Sequence, residues 1–148
     1  MTDWATSVRI TPRPSFQEVL ALLEEARLPT SDLTPAHMQH FFILGFDDAA
    51  IGVVGLELCG SDALLRSLVV ASQWQKRALG PTLLSHVEAH ARAHGVVSLY
   101  LLTTEASAFF SRHGFCDIQR KLAPELIRST REFADSCPTN SAFMVKQL

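Results

Sequence analysis

Cysteine is scarce and scattered in this chain. Cys59, Cys116 and Cys137 are the only three in 148 residues, an odd number with no CxxC pair among them. That spacing excludes a disulfide framework and a zinc ribbon, and reduced thiols in a cytoplasmic protein are the expectation. Charge is also sparse. Thirteen basic and fifteen acidic residues leave a formal net charge of −2, so no global positive field exists to hold a nucleic acid or an anionic membrane. Trp4 and Trp74 stand without interleaved basic residues and suggest no nucleic-acid surface. Long apolar runs are missing too, since stretches such as residues 63–65 and 68–71 fall far short of a membrane span. The opening MTDWATSVRITPRPS lacks the basic start and apolar run of a secretory leader. Any anion this protein binds must be held by local geometry.

What the chain does have is apolar mass, 47% of its residues. A chain of this length suits one domain over residues 1–148, burying about two-thirds of its unfolded surface without staples. Residues 7–11 read as a short strand punctuated by Pro12 and Pro14. Ser15 and Glu18 have capping-box spacing ahead of a helical apolar face (Phe16, Val19, Leu20, Leu22, Leu23) that Pro29 should end. Thr34 and Pro35 look like the start of another short helix. Three strands follow over residues 41–46, 51–58 and 63–70, with turns short enough for an antiparallel meander. The period then becomes helical, with Pro81 near the start, a face of Leu83, Leu84, Val87 and Ala91, and Gly95 past the end. Residues 96–103 form a continuous apolar strand, so a right-handed crossover should make it parallel to the strand before the helix. A short helix over residues 106–113, a strand over 115–120, a helix over 123–134 and a closing strand over 142–145 complete the reading. The class is α/β (α+β) with a mixed central sheet flanked by helices. No internal repeat or low-complexity segment occurs.

The informative stretch is Leu68-Val69-Val70-Ala71-Ser72-Gln73-Trp74-Gln75-Lys76-Arg77-Ala78-Leu79-Gly80-Pro81-Thr82. A buried strand enters a polar loop that opens directly into a helix. The unpaired amides of such a loop and first helical turn form an anion site, reinforced by the helix dipole. Lys76 and Arg77 add two cations at the same place, which suits a pyrophosphate.

The spacing Gln75-x-x-Ala78-x-Gly80 resembles the Q/R-x-x-G-x-G/A loop of GNAT acetyltransferases. The segment Ala106-Ser107-Ala108-Phe109-Phe110-Ser111-Arg112-His113-Gly114-Phe115 is similar to their A-x-x-F-Y-x-x-x-G-F. The order of elements also matches that family over nearly the whole chain. A closer likeness, to its arsenic-resistance branch, rests on LPTSDL (28–33), GLE (55–57), LLRSLV (64–69), LLTT (101–104), APELIRSTREF (123–133) and Cys137-Pro138.

The resemblance implies a GNAT fold in which one parallel strand pair splays around acetyl-CoA, used as a co-substrate without a metal. Leu68, Val69 and Val70 would offer backbone groups to the pantetheine arm. Amides from Gln75 through Lys76, Arg77, Ala78, Leu79 and Gly80 toward Pro81 and Thr82 would surround the pyrophosphate, although Pro81 has no N–H to give. Thr103 or Thr104 would sit beside the pantetheine, and Phe109 and Phe110 would pack against the cofactor. The implied activity is N-acetylation of a primary amine on a small molecule by direct transfer, and the closer likeness suggests an amino-acid-like toxin linked to arsenic resistance. The resemblance also admits a homodimer, with no nucleic-acid or membrane partner.

Two residues depart from the family pattern. Ala78 replaces a glycine, which costs on the order of 1 kcal/mol if its φ is positive. Phe110 stands where many members carry a tyrosine that protonates the leaving thiolate, so the alternative reading is a non-catalytic acetyl-CoA-binding or regulatory module. Glu57, mid-strand in an apolar segment, is the candidate base or ammonium anchor, against the simpler reading that it faces solvent. Asp32, in the loop after the first helix, is a second candidate.

Other constellations read as structural. His86, His90 and His94, four apart, make an exposed stripe with no fourth ligand to match, and His37 with His40 reads the same way. The three cysteines give no clustered set for trivalent arsenic. Arg120, Lys121, Arg128 and Arg131 form either a solvated helical face or a site for an anionic substrate group.

Overall fold

The computed structural model describes residues 8–136 and 141–148. Trp4 and Cys137 lie outside the described residues. The strands are β1 (Val8–Pro12), β2 (Phe41–Phe46), β3 (Ala49–Cys59), β4 (Asp62–Val70), β5 (Ser98–Thr103), β6 (Cys116–Asp117) and β7 (Ala142–Gln147). The α-helices are α1 (Phe16–Glu25), α2 (Leu79–Ala93), α3 (Ser107–Arg112) and α4 (Glu125–Arg128). The sheet has seven strands in the order β1-β2-β3-β4-β5-β7-β6. The β4–β5 pair is parallel, as a strand–helix–strand crossover requires. The pairs β1–β2, β2–β3, β5–β7 and β6–β7 are antiparallel.

The described chain forms two compact units, residues 8–55 with 67–87 and residues 56–66 with 88–148. In the first, Ser15 caps α1. Its Oγ accepts the Glu18 amide at 3.1 Å and donates to the Glu18 carboxylate at 3.1 Å, so the cap forms as the spacing suggests while the carboxylate takes the hydroxyl. The buried face of α1 (Val19, Leu22, Leu23) packs with Leu33, Met38, Phe41, Ile43 and Val53. The helix ends at Glu25, earlier than Pro29 suggested. Arg27 takes φ 60°, and the Leu28 amide returns to the Leu23 carbonyl at 2.9 Å, so the left-handed closure stops the helix before proline can. The segment Pro35–His40 is 3-10 rather than α, with the Thr34 amide donating to His37 Nδ1 at 2.9 Å.

In the second unit, Leu64, Tyr100, Phe143, Ile127, Ala123 and Cys59 make the core. The sequence reading is corrected twice here. The strand expected over residues 115–120 pairs only at Cys116 and Asp117, because a 3-10 turn begins at Arg120. The helix expected over 123–134 breaks into α4 and a π-helical turn at Glu132–Ser136. Ser129 Oγ donates to the Glu125 carbonyl at 2.8 Å and Thr130 Oγ1 to the Ile127 carbonyl at 2.7 Å. Two adjacent hydroxyls that bond back to the turn before them disturb the regular ladder.

Gly55 faces Phe41 across the β2–β3 pair. A Cβ at Gly55 would lie 2.3 Å from the Phe41 ring, and Phe41 is fully buried. Gly55→Ala therefore overpacks the first unit and is expected to cost about 1–3 kcal/mol, read as a lower urea midpoint at unchanged slope.

Candidate functional site

The junction from β4 into α2 lies in the first unit. Strand β4 enters it with Leu68, Val69 and Val70 half-buried, preceded by Ser67 at φ 63°. That left-handed residue comes two positions after the last residue paired with β5, Leu65, an irregularity of the β-bulge kind. The Ala71 amide then donates to the Ile51 carbonyl of β3 at 2.7 Å. A single 3-10 turn covers Ser72–Trp74. Gln75 Nε2 donates to the Val70 carbonyl at 3.0 Å, so this side chain staples the loop back to its own strand.

The loop closes with two non-glycine residues in left-handed conformation, Lys76 at φ 65° and Ala78 at φ 60°. The condition under which Ala78 costs on the order of 1 kcal/mol is thus met. The first bond of the helix runs from the Thr82 amide to the Ala78 carbonyl at 3.2 Å, which makes Ala78 the residue at the cap. Alanine has no side chain with which to cap. Thr82 Oγ1 donates to the same Ala78 carbonyl at 2.8 Å, and no acid stands in the first turn. The amides of Leu79 and Gly80 precede the first helical bond and have no acceptor in their own helix. Pro81 at the next position withholds none that the helix would have used. Lys76, Arg77, Ala78 and Thr82 are exposed. A helix N-terminus left uncapped, with two cations beside it, is chemistry for an anion.

Glu57, Thr103, Phe109 and Phe110 belong to the second unit. Glu57 does not simply face solvent. Its Oε2 lies 3.0 Å from Nη1 of Arg66, whose side chain is 2% exposed. Arg66 Nε also lies 3.8 Å from Glu132 Oε2, so one buried guanidinium bridges two carboxylates from separate elements. Thr103 Oγ1 accepts the Ala106 amide at 3.0 Å, closing the turn that enters α3. Phe110 is buried, edge-on to Phe115 at 5.4 Å, with Phe109 at 5.1 Å. The chain's single tyrosine, Tyr100, lies in β5 stacked on Phe143 at 5.6 Å, and burial, then the charge of Asp62, push its hydroxyl pKa up.

The family model for the acetyltransferase (GNAT) domain matches residues 37–117, more than half of the chain and spanning the junction. The chain belongs to the GNAT acetyltransferase family. A curated relative, an uncharacterized N-acetyltransferase of Chlorobaculum tepidum, is 28% identical over 92 residues, 62% of this chain and 59% of that protein. N-acetylglutamate synthase from Neisseria gonorrhoeae, solved with coenzyme A and N-acetyl-glutamate, superposes with a TM-score of 0.81 at 26% identity over 95% of this chain. This chain spans only 35% of that synthase. Rv2747 from Mycobacterium tuberculosis, solved with CoA, shares the fold at a TM-score of 0.75 and 21% identity over 95% of this chain and 98% of that one.

The GNAT junction, as built here, fits a pyrophosphate-bearing co-substrate in its donor chemistry. Other residues of the sequence reading have neighbours within the fold. Asp32 is 1% exposed. Arg120 donates to the Ser141 carbonyl at 3.1 Å and lies over Phe133, whereas Lys121, Arg128 and Arg131 are exposed. His90 and His94 stack with ring centroids 4.3 Å apart, and His86 meets Phe42 edge-on. The reading missed the Glu57–Arg66 pair, although the signal was available. The turn at residues 60–61 makes β3 and β4 a hairpin, and counting outward from it brings residues 57 and 66 onto adjacent strands, each a charge in an apolar run.

Two outcomes follow. Arg66→Met leaves Glu57 and Glu132 without their shared cation and should cost about 3–5 kcal/mol by urea unfolding, with Arg66→Lys less severe. Cys59 has its thiol pKa pushed up to about 11 by burial and then by the charges of Glu57 and Asp62, whereas Cys116 is exposed. Alkylation at pH 8 followed by peptide mapping should modify Cys116 and spare Cys59 until the protein is unfolded.

Proposed function

We propose that this domain transfers the acetyl group of acetyl-CoA directly to the primary amine of a small, amino-acid-like acceptor. The observation that carries the reading is the uncapped start of α2, with left-handed Lys76 and Ala78 before it, in the stretch whose spacing resembles the GNAT pyrophosphate loop. Gln75 through Gly80, with Thr82, would hold the pyrophosphate by backbone amides and the two cations. Leu68, Val69 and Val70 would present strand backbone to the pantetheine arm and polarise the thioester carbonyl. Thr103, Phe109 and Phe110 retain the cofactor-side roles that the resemblance gives them.

Acetyl-CoA supplies an activated thioester, whose C–S bond breaks as the N–C bond forms. The acceptor ammonium loses its proton to Glu57 or to water before attack, and the thiol, near pKa 8.5 by analogy with cysteine, departs as thiolate. The Arg66 guanidinium holds the Glu57 carboxylate in place for either role. The likeness to N-acetylglutamate synthase supports an α-amino acid as acceptor. The likeness to the arsenic-resistance branch supports one bearing an arsenic or phosphorus acid group.

A buried phenylalanine in place of the family tyrosine favours a second reading, a module that binds acetyl-CoA without turning it over. Release of free thiol from acetyl-CoA across a panel of amino acids, including phosphinate and arsonate derivatives, separates the two. Acceptor-dependent release is expected, slowed by the absent acid by about 10²–10⁴. Tight CoA binding with no release from any amine would overturn catalysis. Glu57→Gln then assigns the carboxylate, since a raised acceptor KM at constant kcat marks an anchor and a lowered kcat marks a base.

A further inference from the structure

Trp74 has no role in the family pattern, yet its side chain meets both a strand end and the loop's arginine. Its indole is half-buried and rests on Phe46 with ring centroids 4.8 Å apart. The guanidinium carbon of Arg77 lies over the same indole, 4.9 Å from its centroid. Phe46, Trp74 and Arg77 thus touch in series from the end of β2 to the residue immediately before Ala78. A cation held over an indole face is attracted by the ring. A guanidinium so held keeps five N–H donors with which an oxyanion can be met. An unstacked arginine at an exposed position would have to give up its rotamer freedom when the anion arrives.

We propose that Trp74 is a positioning residue for the co-substrate's diphosphate, acting through Arg77. Its indole, braced by Phe46, pre-orders the guanidinium of the residue that leads into the amides of residues 78–80, so that binding has less to order. Lys76 has no such platform and acts as a general positive charge. The inference rests on the proposed acetyl-CoA reading and extends it from the backbone amides to a side-chain pair particular to this chain. It also specifies which ligand moiety the pair serves, the nucleotide diphosphate and not the acyl-pantetheine arm.

The test compares coenzyme A binding by calorimetry with turnover of S-acetylpantetheine, which carries no phosphate. Trp74→Ala and Arg77→Ala should each weaken CoA about tenfold. The double variant should be no worse than Arg77→Ala alone, since one residue works through the other. Trp74→Phe keeps an aromatic face and should recover most of the affinity. In each variant the loss with S-acetylpantetheine should be much smaller than the loss with CoA. Additive losses in the double variant, or an equal loss with S-acetylpantetheine, would overturn the role and make Trp74 a packing residue only. If the wild-type chain binds no CoA, the acetyl-CoA reading falls and the inference with it. CoA binding by wild type with additive variants removes the Trp74 assignment alone.

Discussion

Helix α2 begins without a cap of its own, and the rest of the site depends on that. Most helices spend a serine, threonine, aspartate or asparagine on their first amides, a gain of about 1 kcal/mol. Here the cap position holds Ala78, and the one nearby hydroxyl, on Thr82, donates to a carbonyl and accepts no amide. The first turn also lacks the acid that would neutralise the dipole. Each omission lowers the stability of the free protein slightly and leaves donor capacity for a ligand. An anion there would recover what the cap would have given, together with the attraction of Lys76 and Arg77.

Such a site works only if its backbone holds still. Left-handed conformations at Lys76 and Ala78 are unfavourable for residues with a Cβ, by roughly 1–2 kcal/mol each. They persist because both ends of the loop are fixed. The Ala71 amide bonds to β3 and the Gln75 side chain to β4, and beyond Ala78 a face of Leu83, Leu84, Val87 and Ala91, all buried, anchors the helix. The family glycine would relieve the strain at residue 78 but would also loosen the turn. Alanine accepts the strain and restricts the alternatives.

Periodicity made the central elements legible from sequence. The capping pair Ser15–Glu18, the β2–β3–β4 meander, the amphipathic α2 and the parallel β5 each have a strong local pattern, and each forms close to where that pattern puts it. The C-terminal third was less legible because its outcome turns on competition. Residues 123–134 carry helical spacing, yet Ser129 and Thr130 divert their hydroxyls to backbone carbonyls, and no propensity sum shows that. The left-handed Arg27 and Lys76 were equally hidden, since neither is glycine. At the candidate site, the loop between β4 and α2 was visible through its spacing, whereas the contact of Phe46 with Trp74 joins residues 28 positions apart and needs the β2 strand end in place before it exists.

Magnitudes decide whether the missing tyrosine matters to the proposed reaction. A general acid contributes about 10²–10⁴ in rate, or roughly 3–5 kcal/mol of barrier. Holding an amine and a thioester in reacting geometry contributes about 7–11 kcal/mol. In the proposed reaction, positioning therefore outweighs proton donation. The leaving group weakens the need for an acid further, because a thiol ionises near physiological pH whereas an alkoxide or amide nitrogen would not. The ring of Phe110, packed against Phe109 and Phe115, then serves α3 and its surroundings as core. On the proposed reading, phenylalanine at residue 110 would lower the rate without removing the reaction.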